Sequence, residues 1–443
     1  MTDTIYALAT AHGRSGIAVV RVSGPCAFDS LASLSNETFK SRLATLTTLI
    51  NPNDQSIIDE CIVITFHAPR SYTGEHTVEY NIHGGKAVRD GLINALSQMH
   101  GHRLAEPGEF TRRAFENGNL DLTQAEAVAD LIHAETESQK QLALSQMGGS
   151  LSILYHGWAD KLVRALAYAE AQIDFADEDL PEDEVKSKIT PVLTEISNQI
   201  QTHLNDGNRG EILRDGIKIA IIGAPNAGKS SLVNALAKRD VAIVSDMAGT
   251  TRDVLEVHLD LNGYPVTLYD TAGLRPEQLN ENAQDKIESE GIKRALQKAK
   301  EADFKILLFD GTTHELHKQT LDLADERSFI VINKIDLTNN INKKYLNIST
   351  QSGQGLDDLI NHVSRETIAL FDDIQDNPSL TRARHREALV DAQSHIDRAL
   401  SGYSPDMVAE DIRMTVRAIG HITGRTDVED LLDIIFRDFC VGK

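Results

Sequence analysis

Apolar residues along this chain change period several times, and each change marks a different kind of structure. Over the first 118 residues, short β-rich runs alternate with Gly and Pro punctuation. Residues 17–22, 61–66 and 77–82 read as strands, and the apolar spacing over 88–99 is helical. The pattern predicts an α+β domain. From Thr123 the texture becomes helical: Thr123-Gln-Ala-Glu126 has the form of a capping box, whose hydroxyl and carboxylate satisfy free N–H groups of a first turn. A long Ala-rich helix is predicted from there to Met147. Gly148 and Gly149 break it, Ser150 caps a second helix reaching Asp174, and a third spans 185–204 after the acidic stretch 174–184.

At Ile217 the period switches again. Residues 218–222 read as a buried strand, followed by a Gly-rich turn and a helix opening near Gly228. Further apolar runs at 266–269, 305–309, 329–332 and 345–348 alternate with helical stretches, as in a parallel α/β unit, which closes with a helix over 356–370. A linker at 372–378 leads to three more helices, 382–400, 406–421 and 427–436. These have no obvious core of their own and are expected to pack with the helices of 120–210. The α/β unit is then an insertion in a discontinuous all-α domain. The predicted divisions are 1–118 for the N-terminal domain, 119–214 and 368–443 for the two helical segments, and 215–367 for the insertion.

Composition bounds the function. At roughly 150 residues per domain, a chain of 443 residues holds about three. Lys plus Arg is 44 against 66 for Asp plus Glu, giving a net charge of −22, which argues against a generic basic nucleic-acid binder. No apolar run reaches the roughly 18 to 20 residues of a bilayer span, and the first eight residues lack a signal-peptide layout. A cytoplasmic protein with no membrane span is the expectation. Cys26, Cys61 and Cys440 show no Cys-x-x-Cys spacing, so neither a disulfide framework nor a zinc knuckle is indicated.

The turn after the first strand of the insertion carries the clearest chemistry. Gly223-Ala-Pro-Asn-Ala-Gly-Lys-Ser230 fits G-x-x-x-x-G-K-[ST] between a predicted strand and helix. Its glycines let backbone N–H groups approach phosphates, Lys229 reaches the β- and γ-oxygens, and the Ser230 hydroxyl suits Mg²⁺. Downstream, Asn333-Lys-Ile-Asp336 follows a buried strand, and the Asp336 carboxylate accepts from the paired N1–H and N2–H donors that guanine has and adenine lacks. Between them lie Gly249-Thr-Thr-Arg-Asp253, whose Thr251 suits the Mg²⁺ shell, and Asp270-Thr-Ala-Gly273, whose Asp270 suits a Mg²⁺-bound water and whose Gly273 amide can sense the γ-phosphate. Ser349-Thr-Gln351 is expected beside the base. The expected GTP site is thus Asn226, Ala227, Gly228, Lys229, Ser230 and Ser231, the loop Ser245, Asp246, Met247, Ala248, Gly249, Thr250 and Thr251, then Asp270, Thr271, Ala272 and Gly273, and finally Asn333, Lys334 and Asp336.

These strings resemble the translation-factor-related GTPases. Leu274 follows Gly273 where Ras-type proteins carry the Gln that orients water, and Asn226 together with the Gly-Thr-Thr-Arg-Asp loop resembles the potassium-activated members. That resemblance implies a K⁺ held by Asn226, Ser245, Met247 and Thr250. Outside the insertion, residues 16–24, 71–79, 83–85, 107–115, 120–127 and the tail Phe439-Cys-Val-Gly-Lys443 are similar to the MnmE/TrmE family of tRNA-modification GTPases, and the likeness covers essentially the whole chain. It implies an N-terminal folate-binding and dimerisation domain, a two-segment helical domain and an inserted G domain. It also implies a homodimer, a heterotetramer with the flavoprotein MnmG, and tRNA as substrate. The reaction would place a (carboxymethyl)aminomethyl group at C5 of the wobble uridine, with 5,10-methylene- or 5-formyl-tetrahydrofolate as one-carbon source. By position, Arg21, Glu79, Asn119 and Lys443 would contact folate, Asn119 standing where the family usually has Lys. Glu288 aligns with the acidic residue that orients attacking water, with Glu290 the neighbouring alternative; Arg275 matches an arginine of the same loop; and Cys440 is a candidate nucleophile. A regulatory GTPase of the ribosome-assembly kind is the competing reading, and folate binding separates the two.

Overall fold

The computed structural model describes residues 3–174, 182–206, 208–239, 241–243, 256–270, 300–313, 315–338, 344–371, 379–402, 404–426, 429–437, 439 and 442. Two compact units emerge. One comprises Met1–Ala129, Gln146–Thr194 and Asp391–Lys443, the other Asp130–Ser145 and Glu195–Val390.

The first unit opens with strands β1 (Thr4–Leu8) and β2 (Ala18–Ser23), helix α1 (Ala27–Leu34), β3 (Thr45–Ile50), β4 (Ile57–Phe66), β5 (Thr77–Ile82), α2 (Lys86–Ser97), β6 (His102–Leu104) and α3 (Glu109–Glu116). Its strands form one sheet in the order β3-β4-β5-β2-β1-β6, with only β6 joining in parallel, against β1. Val20 and Val22 of β2 and Val78, Tyr80 and Ile82 of β5 enter a core shared with Leu31 and Leu34 of α1 and Leu92 and Leu96 of α2. Because strand side chains alternate, Arg21 and Glu79 fall on the opposite face, and the register sets them directly across from each other. Fully buried Arg113 of α3 ties the β4–β5 loop down, its guanidinium bonding Glu75 (3.1 Å), Asp3 (3.0 Å) and Glu109 (3.0 Å).

The helical stretch begins with α4 (Leu122–His133) and α5 (Glu137–Met147), two helices where periodicity predicts one. The capping box also lies two residues earlier than expected. Asp121 Oδ1 accepts from the Gln124 N–H (2.9 Å) while Gln124 Oε1 accepts from the Asp121 N–H (3.0 Å). The same exchange recurs at the break, where Thr136 and Gln139 hydrogen-bond reciprocally, so a second start signal inside the Ala-rich run ends the first helix. The chain continues through α6 (Ser150–Asp174) and α7 (Glu182–Leu204).

Then comes the α/β unit: α8 (Arg209–Asp215), β7 (Ile217–Gly223), α9 (Lys229–Ala237), β8 (Glu256–Leu261), β9 (Tyr264–Asp270), β10 (Phe304–Asp310), α10 (Lys318–Leu321), β11 (Ser328–Asn333), β12 (Leu346–Asn347) and α11 (Leu356–Ala369). The sheet order is β12-β11-β10-β7-β9-β8, parallel except for the edge hairpin β8–β9. The segments leading into and out of this unit are fastened together. Arg214 donates to the Thr381 carbonyl (2.8 Å), and Arg386 reaches the Leu204 carbonyl (2.9 Å), Asp206 (3.0 Å) and Glu211 (3.2 Å).

Helices α12 (Ala383–Ser401), α13 (Pro405–Thr423) and α14 (Glu429–Arg437) complete the chain. Helix α13 packs along α6, with Arg413 on Glu170 (2.9 Å), and Leu432, Phe436 and Phe439 close over Leu122 and Ala125 of α4. Helices from both sides of the α/β unit thus share one core, and the helical domain is discontinuous. Among the described residues no helix is long and apolar enough to cross a membrane.

Candidate functional site

In an open parallel sheet the strands' carboxyl ends face a crevice where ligands bind. Here β7 ends at Gly223 and β11 at Asn333, and the segments leaving them line a cavity of about 820 Å³ bounded by Asn226, Gly228, Lys229, Ser230, Ser231, Lys334, Asp336, Thr350 and Gln351. Gly228, with φ of +99°, is the N-cap of α9, so the first N–H groups of that helix open toward the cavity. Asn226 also holds a left-handed φ, +64°, a conformation that Asn tolerates better than most residues. Buried Lys229 bends back over the loop, its Nζ on the Gly223 carbonyl (2.8 Å) and the Ala224 carbonyl (3.2 Å). The donors gathered here, helix N–H groups, one ammonium and the Ser230 hydroxyl, are of the kinds that suit a phosphate and a hard cation.

The two motifs at the ends of β7 and β11 are stitched together. Asn333 Nδ2 donates to the Ala227 carbonyl (2.9 Å), and its Oδ1 accepts from the Thr350 N–H (3.2 Å). Asn333 is fully buried, lines the cavity and holds three loops in register. A Cβ on Gly228 would lie 2.3 Å from Asn333 Nδ2, so this glycine is required by its neighbour as well as by its φ. Gly228→Ala is therefore expected to cost about 1–3 kcal/mol of α/β-unit stability from backbone strain alone. It should also abolish nucleotide binding; calorimetric unfolding and a fluorescent-nucleotide titration check both.

Asp336 sits in an exposed 3-10 turn, Ile335–Leu337, directly after the left-handed Lys334. Lys334 is pinned by Asp310 at 2.6 Å. Burial alone would raise the Asp310 carboxyl, but the Lys334 and Thr312 hydrogen bonds outweigh it and hold it below the usual carboxylate range. Sequence reading missed Asp310, although an Asp-Gly pair closing a central apolar strand is a signal of a strand-end site. It also missed Leu337, an apolar residue 68% exposed at the cavity wall beside Asp336. The predicted residues Ser245, Asp246, Met247, Ala248, Gly249, Thr250, Thr251, Thr271, Ala272, Gly273, Arg275, Glu288, Glu290, Cys440 and Lys443 lie outside the described residues.

A second constellation forms on the other face of the N-terminal sheet, where Phe110 of α3 packs against Ile5 and Ala7. Arg21 Nε donates to Glu79 Oε1 at 3.0 Å, and the guanidinium lies 5.3 Å from the Tyr72 ring centroid and 5.6 Å from that of Phe110. Tyr72 hydrogen-bonds Thr111 (2.8 Å), and burial pushes its phenol above the ordinary tyrosine range. Asn119 Nδ2 donates to the carbonyls of Ser71 (3.0 Å) and Tyr72 (3.1 Å), so the Asn119 side chain shapes the loop that carries this aromatic wall. The tail comes to the same strands: a Cβ on Gly442 would lie 2.1 Å from the Leu8 carbonyl oxygen, one residue from Ala7, which pairs with Arg21.

Comparison with known proteins matches both parts. A family model described as the MnmE helical domain matches residues 122–440, and one described as the GTP-binding protein TrmE N-terminus matches residues 4–119. The tRNA modification GTPase MnmE of Parvibaculum lavamentivorans is 50% identical, with all of both chains covered. That of Paramagnetospirillum magneticum is 46% identical, again with all of both chains covered. Among solved structures, the G domain of the T. maritima FeoB iron transporter aligns at 25% identity with a TM-score of 0.25, covering 34% of this chain and 98% of that one. Matched by family models over its N-terminal and helical parts and by full-length relatives, the chain belongs to the MnmE family of tRNA modification GTPases.

Proposed function

We propose that this protein is a GTP hydrolase of tRNA modification that works with the flavoprotein MnmG, in the cytoplasm, to place a (carboxymethyl)aminomethyl group at C5 of the wobble uridine. The observation that carries the reading is the joined cradle of Gly223 to Ser230 and Asn333 to Asp336, in a chain that matches MnmE proteins from end to end. Phosphates lie along the N-terminus of α9 with Lys229 as counter-charge, and Asp336 accepts from guanine. Mg²⁺ bound by Ser230 and Thr251 would neutralise charge on the phosphate oxygens, and K⁺ held by Asn226, Ser245, Met247 and Thr250 would supply what an arginine finger supplies elsewhere. Glu288 orients the attacking water. The N-terminal domain, 1–118, carries folate and the homodimer contact; the helical domain, 119–214 and 368–443, connects it to the G domain, 215–367. Two chains join two of MnmG.

The partly exposed Arg21–Glu79 pair supports the folate reading. The Arg21 guanidinium is a partner for the glutamate carboxylates of folate, Glu79 for an aminopyrimidine edge, and Tyr72, with buried Phe110 on the other side of Arg21, offers a flat apolar wall. Asn119 contributes through the loop it fixes, and Lys443 from the tail. Because Arg21 and Glu79 pair with each other, ligand binding exchanges one ion pair for two contacts. Equilibrium dialysis with 5-formyltetrahydrofolate is expected to find a site that Arg21→Ala weakens roughly ten- to hundredfold, the worth of a charged hydrogen bond. Absence of binding would instead favour a switch GTPase whose N-terminal domain serves dimerisation alone.

A further inference from the structure

We infer that Lys40, Arg42 and Arg70, brought together at one corner of the N-terminal sheet, form a docking surface for the phosphodiester backbone of RNA. The inference rests on the tRNA reading above and adds the surface that meets the substrate. The turn following α1 and the loop between β4 and β5 are joined there. The Arg42 N–H donates to the Thr65 carbonyl (2.8 Å), and its guanidinium donates to the Arg70 carbonyl (2.7 Å). The Leu43 N–H closes the turn onto the Lys40 carbonyl (3.2 Å). Arg42 takes a φ of +63°, unusual for a residue with a side chain, and its guanidinium lies 5.7 Å from the Phe66 ring centroid. One arginine is thus fixed by backbone geometry, a carbonyl and an aromatic ring, with donors left over.

The charge pattern says what these donors meet. In a chain with 66 acidic and 44 basic residues, carboxylates are plentiful, and in this same domain Arg21 pairs with Glu79, Lys86 with Asp90, Arg103 with Glu109, Arg112 with Glu116, and Arg113 with Asp3 and Glu75. Lys40, Arg42 and Arg70 are all exposed, and among the described residues none of the three makes an ion pair. Like charges gathered without internal counter-charge are a footprint for an external anion. Next to them, where the Arg70 N–H meets the His67 carbonyl (2.9 Å), Phe28, His67 and His76 form a triangle of tilted rings, with Phe28 4.6 Å from each imidazole and the imidazoles 5.6 Å apart. His76 Nδ1 accepts from the Ala68 N–H (3.2 Å), which leaves Nε2 as the N–H donor. Cations beside a cluster of rings fit a nucleic-acid strand, with phosphates on the cations and bases or riboses on the rings; an acidic peptide would leave the rings unused.

The test is binding of a tRNA transcript with uridine at the wobble position to the full-length protein, by fluorescence anisotropy over about 50–200 mM salt. The double variant Lys40→Gln/Arg70→Gln is expected to bind about tenfold more weakly, with the slope of log K against log salt reduced by about 2. GTP hydrolysis without tRNA and the thermal unfolding midpoint should be unchanged. Lys40→Arg/Arg70→Lys, which keeps the charges, should restore the wild-type slope. Equal affinity and slope for wild type and double variant would overturn the assignment while leaving the tRNA reading intact; weaker capture of polyglutamate in that case would point to an acidic protein partner. Wild-type protein that binds no tRNA at low salt would overturn both.

Discussion

Asp336→Asn is expected to lower GTP affinity by about two to four orders of magnitude while creating affinity for xanthosine triphosphate, the discrimination available to a site built to hydrogen-bond its substrate. In the proposed site the carboxylate accepts from guanine N1–H and N2–H; an amide offers one acceptor and one donor, which suits the carbonyl that xanthine has at C2. The change is structurally light. Asp336 is exposed on its 3-10 turn, and the turn is set by Lys334, held by Asp310, and by buried Ile335. Nucleotide competition against a fluorescent guanine nucleotide, repeated with xanthosine triphosphate, measures both halves. Loss of GTP binding with no gain for xanthosine triphosphate would mean that Asp336 supports the turn and does not meet the base.

The strand, turn and helix of the candidate nucleotide site were legible because they are local in sequence. A strand, a Gly-rich turn and a helix follow one another from Ile217 to Ala237, and each carries its own signal: an apolar run, glycines, a capped amphipathic segment. What periodicity misses is what depends on distant residues. Asp310 is an ordinary strand-end carboxylate until β11 places Lys334 2.6 Å away. Strands β1 and β3 are short, Thr4–Leu8 and Thr45–Ile50, and the second is rich in Thr, so neither rises above the background of a loop. Register escapes as well: nothing within either strand announces that Arg21 and Glu79 face each other, yet that pairing builds the second candidate site.

The helical region shows the opposite error, where a real signal hides a competing one. An Ala-rich run favours unbroken helix, and Thr123 with Glu126 has the right spacing for a cap. Asp121 with Gln124 sits two residues earlier and wins the helix start, so Thr123 becomes a first-turn residue whose hydroxyl donates to Asp121 (2.7 Å). Thr136 with Gln139 then restarts the helix. Three overlapping capping patterns within 19 residues, 121–139, are resolved by which side chains the tertiary structure accommodates.

The proposed cation mechanism carries the largest kinetic consequence. Asn226 lines the nucleotide cavity in a left-handed conformation, which Gly also adopts without strain, so Asn226→Gly removes the side chain and leaves the loop geometry in place. A cation at the transition state should be worth about one to two orders of magnitude in rate, comparable to one electrostatic donor in an oxyanion site. The most direct measurement is the initial rate of GTP hydrolysis by wild type and Asn226→Gly in KCl and in NaCl at equal ionic strength. The account predicts a large K⁺ preference in the wild type, abolished in Asn226→Gly with nucleotide affinity retained. Equal rates in the two salts for the wild type would contradict it and leave Asn226 as a residue of the turn alone.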